Sequence, residues 1–136
     1  MNRIVLTNGC FDALHIGHIR LLKFASEQGT WLVVGLNSDA SVRQLKGEGR
    51  PVNRQEWRKE ALESIRYVNE VVIFEETNVA RVLEEVNPEV WVKGGYTLQT
   101  LNPAELAVAR RRCIQIRLFP AVADISTTLL LNKSKS

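Results

Sequence analysis

The strongest constraint on the fold is an alternation that runs the length of the chain, in which short continuous apolar runs are each followed by a stretch with helical spacing. Apolar runs without a polar alternation belong to strands covered on both faces. Strands separated by helices must in turn lie parallel, because the crossover returns the chain to the same edge of the sheet. The runs are Arg3 to Thr7, Trp31 to Asn37, Val71 to Phe74, Glu89 to Lys93 and Ile114 to Phe119. They predict an α/β fold, an open parallel five-stranded sheet with helices on both faces, in a single domain over residues 1–131. Residues 132–136, ending in KSKS, read as a flexible C-terminal tail.

Between the runs, helical periodicity starts around Ile16 and continues through Leu21, Leu22 and Ala25, with Gly29 as its stop signal. Asn53 is placed to cap a helix whose face is Trp57, Ala61, Leu62 and Ile65, and Asn78 to cap one from Val79 to Val86. Asn102-Pro103 opens another, since proline suits the first helical position after a capping asparagine. Ser126-Thr127-Thr128 begins a short apolar helix. The polar stretch Ser38 to Gly49 leads into Arg50-Pro51; its glycines and the proline predict a basic loop without regular structure. Ligands of open parallel sheets bind beyond the carboxyl ends of the strands. The functional loops should therefore follow Thr7, Asn37, Lys93 and Phe119.

Bulk composition narrows the classes. The 136 residues, 45% hydrophobic, suffice for one core. No apolar run approaches the roughly 18 residues that cross a bilayer, and the N-terminal segment lacks the pattern of a signal peptide. Cys10 and Cys113 lie far apart without ligand spacing and read as free thiols. These features predict a cytoplasmic protein without a membrane partner. The net charge of +3 is spread along the chain with no dense basic arm, which favours small anionic ligands over nucleic acid.

The segment richest in chemistry is Thr7-Asn8-Gly9-Cys10-Phe11-Asp12-Ala13-Leu14-His15-Ile16-Gly17-His18, between the first strand and the first helix. Unpaired N–H groups and the positive dipole end at a helix N-terminus both favour an anion there. His15 and His18, three apart, share one helix face and can donate to phosphorus-bound oxygens as charge builds. Gly17 between them lets a base or ribose lie against the helix backbone. Asp12 reads as an acceptor bracing the loop. A zinc site of His15, His18 and either Cys10 or Asp12 is the alternative, although no second His/Cys cluster accompanies it. Neither a G-x-x-x-x-G-K-[ST] loop nor a G-x-G-x-x-G fingerprint is present.

TNGCFDALHIGH resembles the (T/N)-G-x-F-D-x-x-H-x-G-H signature of the cytidylyltransferase-like nucleotidyltransferases, whose fold is Rossmann-like. NSDASVRQLKGEGRPVN and EVWVKGGY resemble the adenylyltransferase domain that makes ADP-heptose from heptose 1-phosphate. IRYVNEV and ISTT are similar to glycerol-3-phosphate cytidylyltransferases. The likeness runs from about residue 3 to residue 131. Two departures stand out: Lys93-Gly94-Gly95 runs straight into Tyr96 without the aspartate of K-G-G-D-Y, and Asp124 stands where a glycine is usual.

The resemblance implies a homodimeric nucleotidyltransferase that takes an NTP with Mg2+, ATP favoured over CTP, and a phosphorylated sugar or polyol. It implies that His15 and His18 stabilise the α-phosphate in the transition state, with Lys46 reaching in from a mobile second loop. Asn8, Gly9, Cys10, Phe11 and Gly17 would shape the nucleotide pocket, together with Lys93, Gly94, Gly95, Ser126, Thr127 and Thr128. Asp39, Arg58 and Arg66 would hold substrate or phosphate.

Overall fold

A computed structural model describes residues 2–95 and 101–119. Its strands are β1 (Ile4–Gly9), β2 (Trp31–Asn37), β3 (Glu70–Phe74), β4 (Val90–Gly94) and β5 (Gln115–Phe119). Between them lie helices α1 (Ile16–Glu27), α2 (Asp39–Lys46), α3 (Gln55–Glu63), α4 (Ala80–Val86) and α5 (Pro103–Arg111). The strands form one sheet in the order β3-β2-β1-β4-β5, every neighbouring pair parallel. The fold is the single-domain open parallel sheet that the alternation predicts, and it is Rossmann-like, as the resemblance implies.

Period-two geometry sorts the strand side chains between two cores. Val5, Leu32, Val34, Leu36, Val90 and Val92 join Leu21, Leu22 and Ala25 of α1 and Leu62 of α3 on one face. Leu6, Val33 and Trp91 join Val82 and Leu83 of α4 and Val108 and Ala109 of α5 on the other. Such fully buried side chains are each worth about 1.5–3 kcal/mol, so register in the central strands is firmly set. The chain moves outward from β1 to β2 and β3, then crosses back to place β4 on the other side of β1. Helix α1 follows β1 on one face of the sheet and α5 packs on the other, and the strand order reverses between β1 and β4, the place where ligands of open parallel sheets bind.

Three local expectations change. Ser38–Gly49 is helical over most of its length: the Ser38 hydroxyl accepts the N–H of Ser41, Asp39 sits in the first turn, and only at Gly47, with φ at 97°, does the helix stop. Local capping outweighs the low apolar content there. Second, α3 is capped at Arg54 rather than Asn53, whose side chain donates to the carbonyl of Asp12 instead. Third, the inward face of α3 is Arg58 and Leu62, while Trp57 and Ala61 are exposed. Asn102 caps α5 as expected, accepting from Ala104 and Glu105. The Ser126-Thr127-Thr128 segment, Tyr96 and Asp124 lie outside the described residues.

Candidate active site

The loop after β1 enters α1 through its two histidines. His15 is the N-cap, with extended backbone, and its Nδ1 accepts the N–H of Gly17 at 3.0 Å. His18 reaches back one turn, and its Nδ1 accepts the N–H of His15 at 3.2 Å. This is the reciprocal capping arrangement usually built from a hydroxyl and a carboxylate, made here from two imidazoles. A ring nitrogen that accepts a hydrogen bond carries no proton, so both rings hold theirs on Nε2. The spacing of three residues thus does two things: it caps the helix, and it leaves two neutral N–H donors at the helix's positive end. The ring centroids are 4.1 Å apart.

Burial first, then the neighbouring His15 ring and the Lys46 ammonium, push the pKa of His18 from 6.5 down to about 4. In the unfolded chain the ring gains its proton near pH 6.5, whereas in the folded chain it stays neutral to about pH 4. Its contribution to stability is therefore complete above pH 6.5 and lost as pH falls through that window. A long-range nitrogen NMR titration in phosphate-free buffer should show His18 as the Nε2–H tautomer, neutral down to about pH 4. Ordinary titration near 6.5, or a proton on Nδ1, would contradict the capping geometry.

Phe11 lies in the left-handed region, φ 47°, and its ring packs 5.4 Å from that of His18. The same ring covers Gly9, where a methyl group would come within 3.1 Å of it. Cys10 is half-buried, and burial raises its thiol pKa despite the charges of Lys46 and Arg58. Gly17 is buried in the first turn of α1.

Asp12 braces the loop, as its position in the motif predicts. Its carboxylate accepts the N–H groups of Val52 and Asn53 at 2.7 and 2.8 Å and meets the Arg50 guanidinium at 3.4 Å. Burial alone would raise its pKa; those donors hold it below the usual carboxylate range.

Arg58 completes the frame. It is 2% exposed and donates to the carbonyls of Asn53, Cys10 and Asn37 and to the carboxylate of Asp39, all within 2.9 Å. The guanidinium thus ties the ends of β1 and β2 to α2 and the start of α3. Asp39 and Arg58, both expected to hold substrate or phosphate, are paired with each other, and the remaining Arg58 donors go to backbone carbonyls.

Lys46 occupies the last position of α2 rather than a mobile loop, and its charge acts on both Cys10 and His18. Arg66 is not brought to this edge. Because α3 runs back against the strand direction, Arg66 sits in the turn at the amino ends of the strands, stacked over Tyr67. The nearby Asn69 there bonds Leu32 at the start of β2, and the length of β2 alone separates the two edges by roughly 20 Å.

Asn8 accepts from the indole N–H of fully buried Trp91 at 3.0 Å, which ties the end of β1 to β4. Lys93 and Gly94 end β4 beside it. The Lys93 ammonium lies 5.5 Å from the Trp91 ring, its pKa lowered by burial against the opposing pull of Glu105. Gly94 meets the helix instead of an open space: a methyl group would come within 3.1 Å of Leu21 in α1. The N–H of Gly95 is bonded to the carbonyl of Phe119. Sequence reasoning passed over Arg43, Arg50 and Arg54, which the structure gathers beside the site. Their one signal was position, in and around a glycine-rich loop. Among the described residues no three His, Cys, Asp or Glu groups converge as metal ligands, so the zinc arrangement does not form there. No described helix is long and apolar enough to cross a membrane.

A family model described as cytidylyltransferase-like matches residues 6–133. The chain is 43% identical over 135 residues to the bifunctional protein HldE of Nitratiruptor sp. and 45% identical over 133 residues to that of Nitrobacter hamburgensis. These alignments cover 98% and 97% of this chain but only 28% and 27% of the relatives, so the chain spans just over a quarter of their length. Among solved structures, a lipopolysaccharide core biosynthesis protein from Thermoplasma volcanium shares the fold, with a TM-score of 0.73 and 24% identity, covering 90% of this chain and 98% of that one.

Proposed function

The chain belongs to the cytidylyltransferase-like family, and from that premise we propose that it transfers a nucleoside monophosphate from an NTP to a phosphorylated sugar. A phosphate oxygen of the acceptor attacks the α-phosphorus in line, forming a new P–O–P linkage. The bond to the β-phosphate breaks and pyrophosphate leaves with the electron pair. The observation that carries this reading is the reciprocal histidine pair, which holds two Nε2–H donors at a helix N-terminus beside the sheet's switch point. Developing negative charge on phosphorus-bound oxygens is what such donors stabilise. An acceptor phosphate is already ionised at neutral pH, so no general base is required. Neutral His18 fits that need as a donor.

Magnesium enters the proposal with the triphosphate. The Nδ1 atoms of both histidines and the carboxylate of Asp12 are already engaged, so the described residues form no cage for it. Phosphate oxygens and water would hold it. Its chemistry there is to offset charge on the leaving pyrophosphate.

ATP with a heptose-type sugar 1-phosphate is the favoured pair, supported by the likeness of KGEGRP and VKGG to heptose-phosphate adenylyltransferases and by the HldE relatives. The IRYVNEV segment favours a second reading, CTP with glycerol 3-phosphate or another polyol phosphate. A panel of four NTPs against sugar 1-phosphates and polyol phosphates, scored by pyrophosphate release, tests both. The greatest rate is expected for ATP with a sugar 1-phosphate. A greater rate for CTP with a polyol phosphate would transfer the assignment to the second reading, and no release with any pair would mark a binding module without turnover.

A further inference from the structure

Beside the histidine loop, α2 and the segment 49–54 enclose an open groove of about 330 Å³ whose walls include Arg43, Arg50 and Arg54. Three like charges around one concavity repel one another unless something negative lies between them. Among the described residues, acidic groups do not fill that need. Asp39 also lines the groove, but its carboxylate is paired with Arg58 at 2.7 Å. Asp12 accepts two backbone N–H groups and meets only one Arg50 nitrogen, at 3.4 Å. Arg43 has no acidic partner among the described residues.

Two of the three guanidinium groups are pre-positioned. Arg50 meets Asp12 through a single nitrogen at 3.4 Å, and the central carbon of the Arg54 guanidinium lies 4.2 Å from the centroid of the Trp57 ring, so neither contact takes up the whole donor fork. Planar forks held this way suit a phosphate better than mobile ammonium groups do. The groove also faces the reacting edge: Arg43 stands one turn before Lys46 on α2, and Arg50 touches the loop that carries the histidines.

Transfer between two phosphorylated molecules brings a triphosphate and a phosphate monoester together against mutual repulsion, which calls for two separate cationic sites. We propose that the Arg43–Arg50–Arg54 groove is the acceptor's site, and that it binds the phosphate monoester group of the acceptor while the histidine end of α1 binds the nucleotide. This rests on the nucleotidyl-transfer reading for the identity of the occupant.

Inorganic phosphate is the first probe, titrated into the whole protein at ionic strength held constant with chloride while arginine Nε–H signals are followed by NMR. Saturable shifts are expected at Arg43, Arg50 and Arg54, and a sugar 1-phosphate should displace phosphate at the same signals. The Arg43→Gln/Arg54→Gln variant should lose that response and raise the KM for the acceptor about tenfold or more. Its KM for the NTP should change less than about twofold, because the nucleotide is held elsewhere. Unmoved arginine signals, or equal losses for acceptor and NTP, would overturn the assignment. The phosphate titration needs no turnover. A protein that binds phosphate in the groove yet releases no pyrophosphate would support the groove and remove the transferase reading.

Discussion

Replacing Arg58 by alanine should destabilise the fold by about 3–5 kcal/mol, the range for removing one partner of a buried ion pair. The guanidinium is almost wholly buried and donates four hydrogen bonds, three of them to the carbonyls of Cys10, Asn37 and Asn53. Each buried acceptor left without a donor costs about 1–3 kcal/mol, partly relieved where water enters. Asp39 is about a third exposed on its side chain, so its stranded charge adds less than those carbonyls do. Arg58→Lys keeps the charge but cannot reproduce the fork, and should recover a minor part of the loss. Urea unfolding of the three proteins measures this. A loss under about 1 kcal/mol for Arg58→Ala would mean that Arg58 is not the tie between β1, β2 and α3.

Removing the Nε2–H donor of His15 or of His18 should lower turnover by about a hundredfold or more, equivalent to roughly 3 kcal/mol of transition-state stabilisation. Alanine alone is a poor probe, because each imidazole also accepts a helix N–H. Losing such a cap costs about 1 kcal/mol of stability. His15→Asp and His18→Glu keep a side-chain acceptor within reach of the backbone and, once ionised, carry no hydrogen-bond donor. These two variants should retain stability close to that of the parent and still show the full kinetic loss. Turnover near the parent rate in both would refute the role of the pair in the reaction.

Strands, sheet class and helix α1 were legible in the chain because each depends on patterns within a few residues: unbroken apolar runs, 3.6-residue spacing, and asparagine before proline at α5. The anion-favouring loop was legible for the same reason, since His15 and His18 three apart need only a helix start between them to share a face. Asp12 as a bracing acceptor also followed from its place in the motif.

The tertiary structure alone decided what those residues touch. Nothing local shows that His15 accepts the N–H of Gly17 and His18 that of His15, or that this settles both tautomers. In the sequence, resemblance alone gives Arg58 a role, as a holder of substrate or phosphate; only the convergence of β1, β2 and α2 makes it a buried tie. Arg66 is eight residues further along the chain, yet it falls at the opposite edge because α3 crosses the sheet between them. Ser38–Gly49 reads as loop because its helix is held by caps and by neighbours rather than by an apolar stripe. Sequence determines periodic structure through interactions a few residues long, whereas the site is assembled from loops far apart in the chain, and only the packed sheet fixes the distances between them.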